Sequence, residues 1–216
     1  MIHSSALQHA SCDRRSGIHA VIFDWGGVLM RTADHGFRLA WDARLGLEPG
    51  SMEQLVFGSA EWKQAQVGRL SEQAVWASLR ARLNLSPEAL AELRHDFWAG
   101  DQLDEELIAL IRGLRPRFKT ALLSNFPASL RALLTELGLT DTFDAIIISG
   151  EAGVVKPNAQ IYHLAAERLG VPTGDCLFVD DFVENIVGAR AAGMQALHFA
   201  PVETAMSELR RMTDNE

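Results

Sequence analysis

Cysteine, lysine and long apolar stretches are all scarce in this chain of 216 residues. Cys12 stands in a polar leader and Cys176 just before an apolar run, so a structural disulfide is not expected. With these the only cysteines there is no CxxC pair, which excludes a thiolate metal site. No apolar run approaches the roughly 18 residues that span a bilayer. The first 17 residues lack the apolar core of a signal peptide, so a cytoplasmic protein is expected. Basic charge is scarce too: 20 Lys and Arg against 28 Asp and Glu leave a formal net charge of −8. That balance argues against sequence-independent binding to nucleic acid or to an anionic membrane. A small anionic substrate stays admissible, because local charge governs such a site. The chain has neither an internal repeat nor a low-complexity tract.

What is present is the composition of a packed globule, 48% hydrophobic and 22% charged. The length suits one large domain or a domain carrying an insertion. Residues 1–17, with scattered Ser and His and the run Asp13-Arg14-Arg15, show no periodicity and read as a flexible leader. The continuous apolar run Val21-Ile22-Phe23 then reads as a strand over about 19–24, covered on both faces. From about 33 to 100 the spacing is helical, with segments near 34–45, 51–66, 71–83 and 87–98. Ser71 and Ser86-Pro87 are placed to start two of these helices. Trp41, Trp62, Trp76 and Trp98 lie in this block, as core or as an exposed patch. Beyond about 104 the pattern alternates. Helices are expected over 104–114, 128–137, 158–169 and 183–192. Strands are expected over Phe118–Leu123, Phe143–Ile148, Cys176–Asp180 and Met194–Phe199, with Gly138, Gly170 and Gly193 as helix C-terminal caps. This alternation predicts an α/β fold with a parallel sheet. The helical block separates the first strand from the rest and so reads as an insertion.

Four expected strands end in polar residues: Asp24, Ser124-Asn125, Ser149-Gly150 and Asp180-Asp181. In open α/β sheets the ligand crevice lies at the carboxyl ends of the strands. Three carboxylates converging there repel one another unless a cation sits among them, and Mg²⁺ prefers such oxygen donors. Gly26-Gly27 lets the backbone turn tightly and approach a ligand. Ser124-Asn125 offers donors to phosphate oxygens, or merely turn chemistry. Lys156 is placed to neutralise a carboxylate and a phosphate together, although a lone loop lysine is more often solvated.

The stretches Val-Ile-Phe-Asp24-Trp-Gly-Gly-Val, Leu-Leu-Ser124-Asn125, Gly-Val-Val-Lys156-Pro157 and Phe-Val-Asp180-Asp181-Phe-Val-Glu-Asn185 resemble, in order and spacing, the motifs of the haloacid dehalogenase-like hydrolase superfamily. The resemblance implies a Rossmann-like core over 18–32 and 101–216 and a helical cap over 33–100. It implies that Asp24 is a nucleophile forming an acyl-phosphate, that Ser124 donates to phosphate and that Lys156 clamps nucleophile to phosphate. It implies a Mg²⁺ site on Asp24, the Gly26 carbonyl and Asp181, with Asp180 and Asn185 close by. Gly26, Gly27, Ser124, Asn125 and Lys156 would contact a small phosphorylated metabolite, with no nucleic acid and no membrane as partner.

One position departs from the pattern. Phosphatases of the superfamily usually carry a second aspartate where this chain has Gly26, and its loss removes a general acid worth about 10²–10⁴ in rate. Asp34 and His35 are candidate substitutes, though nothing in the sequence singles one out. Three other readings stay open: a phosphonoacetaldehyde-type C–P hydrolase, which needs Lys63 for a Schiff base; a metal-free haloacid dehalogenase; and a degenerate binding module. Arg69, at the start of a helix, is a candidate substrate contact or a solvated arginine.

Overall fold

The computed structural model describes residues 17–214; the leader expected over 1–17 lies outside them except for Gly17. The chain enters β1 (Ala20–Phe23), turns back through β2 (Met30–Thr32), and then forms α1 (Gly36–Arg44), α2 (Ser51–Phe57), α3 (Ala60–Gln66), α4 (Glu72–Leu83) and α5 (Pro87–Ala99). It returns through β3 (Asp101–Leu103), which pairs antiparallel with β2. The alternating half follows as α6 (Glu105–Leu114), β4 (Lys119–Ser124), α7 (Leu130–Glu136), β5 (Ala145–Ile148), α8 (Ser149–Ala152), α9 (Ala159–Leu169), β6 (Cys176–Asp180), α10 (Val183–Ala191), β7 (Gln195–His198) and α11 (Val202–Asp214).

The main sheet has five strands in the order β5-β4-β1-β6-β7, all parallel. The expected α/β class is therefore the observed one. Every side chain of β1 is buried, and the period of two divides them between two cores. Val21 and Phe23 pack with α6, α7 and α11; Ala20 and Ile22 pack with α9 and α10. A strand covered on both faces has to read as a continuous apolar run, and this one does.

A third core lies within the helical stretch, built on Trp41, Trp62, Trp76 and Phe97. Three of the four tryptophans of this block are thus core residues, and Trp98 is half-buried. The helix starts follow local chemistry: Ser71 Oγ accepts from the Ala74 N–H and Ser86 Oγ from the Ala89 N–H. The single helix expected over 51–66 is two, because Ser59 Oγ accepts from the Trp62 N–H and starts a new helix there. The expected strand end at Ser149-Gly150 is instead the first turn of α8. The β2–β3 pair and α11 were not anticipated. No helix among the described residues is long and apolar enough to cross a membrane.

Trp76 is 1% exposed, its ring is edge-on to Phe97, and its indole N–H donates to Glu72. Trp76→Ala should therefore lower the unfolding free energy by about 3–5 kcal/mol. Denaturant titration followed by circular dichroism measures this; a loss under about 1 kcal/mol would mean that the helical core contributes little to stability.

Candidate active site

The carboxyl ends of β1, β4 and β6 bring the sequence-predicted residues together. Asp24 follows β1, and its N–H donates to Val179 O of β6 at 2.9 Å. Ser124 ends β4, paired with Ile148, and Asp180 ends β6, paired with His198. After Asp24 the chain reverses tightly: Leu29 and Met30 both donate to Trp25 O, and the Gly27 N–H donates to Met30 O. Lys156 arrives on the loop after α8. The Asn125 side chain grips that loop from both sides, Nδ2 donating to Lys156 O at 2.9 Å and Oδ1 accepting from Lys156 N at 2.8 Å. Asn125, expected to donate to phosphate, thus has both ends of its amide engaged in positioning Lys156.

The buried Lys156 ammonium stands 2.7 Å from Asp24 Oδ1 and 2.6 Å from Asp180 Oδ2. Asp180 is fully buried and well supplied with donors. Phe182 N–H reaches Oδ1 at 2.7 Å, and Asn185 Nδ2 lies 3.1 and 3.0 Å from the two oxygens. The Asn185 carbonyl in turn accepts from the Tyr162 hydroxyl at 2.8 Å.

Burial pushes the Asp24 carboxyl up to about 7, against the pull of Lys156 and with the push of Asp180. Asp181 is raised by burial and then by Asp180. For Lys156 burial works downward, but Asp24 and Asp180 more than reverse it, and the ammonium is held above its ordinary range.

Asp24, Asp180 and Asp181 each place an oxygen within 4.8 Å of the others, against the single lysine. Asp181 Oδ1 is buried with no hydrogen-bond partner, an expensive state for a charged oxygen. The backbone makes room for this carboxylate: a Cβ on Gly27 would stand 2.0 Å from Asp181 Oδ2. An acidic, oxygen-only donor set with one unsatisfied oxygen suits a hard divalent cation such as Mg²⁺. Asp24 and Asp181 are the residues best placed to hold it.

Asp24, Asp181 and Lys156 form the floor of a cavity of about 750 Å³, with Asp180 buried behind them. Its walls were not legible in the sequence. Phe57, Trp62 and Trp98 come from the helical block and Phe126 from the loop after β4. Arg31, Arg38 and His35 also line it. His35 Nδ1 lies 3.0 Å from Glu53 Oε1, whereas Asp34 caps the Gly36 N–H. Lys63 and Arg69, singled out from the sequence, are exposed and do not line the cavity. Lys63 is therefore poorly placed for a Schiff base with a substrate there.

The two glycines after Asp24 differ in what they tolerate. Gly27 has φ +79° and no room beside it, while a Cβ on Gly26 would meet nothing within 4 Å. Gly27→Ala should lower stability by about 1–3 kcal/mol, and Gly26→Ala should change it by no more than about 0.5 kcal/mol. Thermal and denaturant unfolding of the pair checks this; equal losses would contradict the assigned turn.

Comparison with known proteins agrees with this geometry. The family model "haloacid dehalogenase-like hydrolase" matches residues 18–193. A phosphatase of Mycobacterium tuberculosis is 34% identical over 83% of this chain and 86% of its own length. The sesquiterpene phosphatase of Aspergillus oryzae is 26% identical over 89% of this chain and 95% of its own. The fructose-1-phosphate phosphatase of Escherichia coli is 29% identical over 82% and 94%. Among solved structures, a HAD family enzyme of Bacteroides thetaiotaomicron in complex with magnesium and inorganic phosphate superposes with TM-score 0.71 at 18% identity, covering 84% of this chain and 94% of that one. The chain belongs to the haloacid dehalogenase-like hydrolases and is a hydrolase.

Proposed function

We propose that this protein is a Mg²⁺-dependent phosphatase that cleaves small phosphate monoesters through an acyl-phosphate on Asp24. One observation carries the reading: a buried ammonium shared by Asp24 and Asp180, beside an Asp181 oxygen that has no partner. That is the charge balance of a site built to receive both a cation and a phosphoryl group. The phosphatase relatives and the magnesium and phosphate complex of the Bacteroides neighbour support it.

In this reading Asp24 attacks phosphorus. A bond forms between its carboxylate oxygen and the phosphorus, and the ester P–O bond breaks, its electron pair leaving on the alcohol oxygen, which takes a proton from water. Lys156 neutralises charge on Asp24 and on the phosphoryl oxygens. Ser124, at the end of β4 and on the cavity wall, offers its hydroxyl to a phosphoryl oxygen. Asp180 keeps the ammonium in place, and Asn125 holds the loop that carries it. Water then attacks the acyl-phosphate, releasing inorganic phosphate and restoring the carboxylate. Bound Mg²⁺ supplies Lewis-acid neutralisation of the phosphoryl charge, with Asp24, the Gly26 carbonyl and Asp181 as its protein ligands and Asp180 behind them. The helical block acts as a cap over this site. Its Trp62 packs on Phe126, and Gln66 Nε2 donates to Asn125 O at 2.8 Å.

Asp24→Asn should reduce phosphate release by at least about 10³-fold while leaving the fold intact. EDTA should abolish release by the natural enzyme, and Mg²⁺ should restore it. Full activity in the Asn variant would remove Asp24 as nucleophile, and full activity in EDTA would remove the cation.

Gly26 has no side chain with which to protonate a leaving group, and the space beside it is open. The missing acid is thus a matter of chemistry and not of room. Gly26→Asp should raise turnover of alkyl phosphates, by up to about 10²–10⁴. Aryl phosphates, whose leaving groups need little protonation, should gain much less. Equal gains would indicate that another group already supplies the proton.

A further inference from the structure

The relatives named above act on carbon skeletons as unlike as a sesquiterpene and a sugar, so family membership leaves the organic half of the substrate open. The cavity walls are more specific. Phe57, Trp62, Trp98 and Phe126 form one continuous aromatic surface above the carboxylates. The centroid separations are 5.2 Å for Phe57–Trp62 and for Trp62–Phe126, and 5.9 Å for Phe57–Trp98 and for Trp98–Phe126. Trp25 and Met30 extend the apolar lining towards Asp24.

Several polar side chains of the same walls are already engaged by the protein. Thr32 Oγ1 donates to Asp101 Oδ1 at 2.7 Å. Arg38 uses Nε on Phe97 O, Nη1 on Glu53 and Nη2 on Asp101, at 2.8, 2.9 and 2.7 Å. Gln66 Nε2 is held by Asn125 O, and the Asn125 amide by the backbone of Lys156. A sugar placed here would find few free partners, and each hydroxyl left dehydrated and unmatched would cost on the order of tenfold in binding. Hydrocarbon placed here would lose nothing and would cover aromatic surface. Arg31 turns one nitrogen to the protein, Nη2 pairing with Asp104 at 2.6 Å, and its Nη1 is buried without a partner.

We propose that the cavity binds the hydrocarbon part of a phosphate monoester of an apolar alcohol, laid against Phe57, Trp62, Trp98 and Phe126. The proposal rests on the phosphatase reading for its reaction, but the binding surface exists without it.

The test has an arm for each. With Mg²⁺, kcat/KM for geranyl phosphate should exceed that for fructose 1-phosphate by about 100-fold or more. In the metal-free Asp24→Asn protein, geraniol should change the fluorescence of the cavity tryptophans saturably, and fructose should not. Trp98→Ala should raise KM for geranyl phosphate and narrow the preference by about tenfold; a merely structural role would lower both rates together. Phe126→Leu serves in its place if loss of the indole unfolds the chain. A preference for the sugar ester, or no response to geraniol, overturns the proposal and leaves the phosphatase reading standing. A saturable response to geraniol with no phosphate released from either ester overturns the phosphatase reading and supports the apolar site.

Discussion

The Lys156 ammonium is 1% exposed and lies within 2.7 Å of carboxylates from two different strands. Removing such a cation from water costs several kcal/mol, recovered only if its partners are close and themselves well held. Much of the surrounding structure serves that requirement. Asp24 is fixed by its backbone bond to β6, and Asp180 by Phe182 N–H and Asn185. Asn185 is tied through its carbonyl to Tyr162, and the lysine's own peptide is gripped by Asn125. The pairing of β1 with β6 serves the same need, because it brings both acids within reach of one lysine. What the lysine leaves unbalanced is the rest of the negative charge, concentrated at the Asp181 oxygen without a donor.

Gly26 and Gly27 look alike in the sequence and are opposites in the fold. Gly27 combines a left-handed backbone with an Asp181 carboxylate that would overlap any Cβ, so glycine is demanded there twice. Gly26 is exposed and has free space on its side-chain face. Sterics therefore fix one glycine and leave the other to the chemistry of the leaving group. A motif read as "a glycine turn" hides that distinction, which depends on where Asp181 comes to lie.

The sheet was legible because both its faces are covered: β1, β4 and β6 appear as apolar runs that stop at a polar residue. The site floor was legible for the same reason, since strand ends share an edge once the strands are parallel. Smaller features escaped for physical reasons. The three-residue strands β2 and β3 carry too little pattern to separate from loop. Ser59, the capping residue that splits the 51–66 segment, is one polar residue in an otherwise helical rhythm. The spacing of Val202, Ala205, Met206 and Leu209 does carry the helical period of α11. Nor does sequence tell Asp180 from Asp181: adjacent acids at a strand end point in different directions, and only the fold decides which one meets the lysine. The cavity wall was the least legible part. Phe57, Trp62, Trp98 and Phe126 each have the spacing of core residues, and three of them are only partly covered because a cavity lies beside them.

Floor and wall are complementary in their electrostatics. On the floor, Asp24, Asp181 and the Lys156 ammonium lie within a few ångströms of one another, with Asp180 buried behind them; above stand aromatic rings and polar groups several of which already hold hydrogen bonds. Charge interactions strengthen as water leaves their surroundings, so an apolar wall makes the floor's attraction for a cation and a phosphoryl group stronger than in an open cleft. A substrate whose organic part fills the aromatic space would exclude water from above while its phosphate completed the charge balance below. One whose organic part carried hydroxyls would bring water in, or leave them unpaired, and weaken both effects at once. The buried Arg38 fits the same logic. Its charge is neutralised by Glu53 and Asp101 and its face is covered by Phe97, so it stiffens the wall without adding a free charge to it. Arg31 is held on one side only, its Nη2 paired with Asp104.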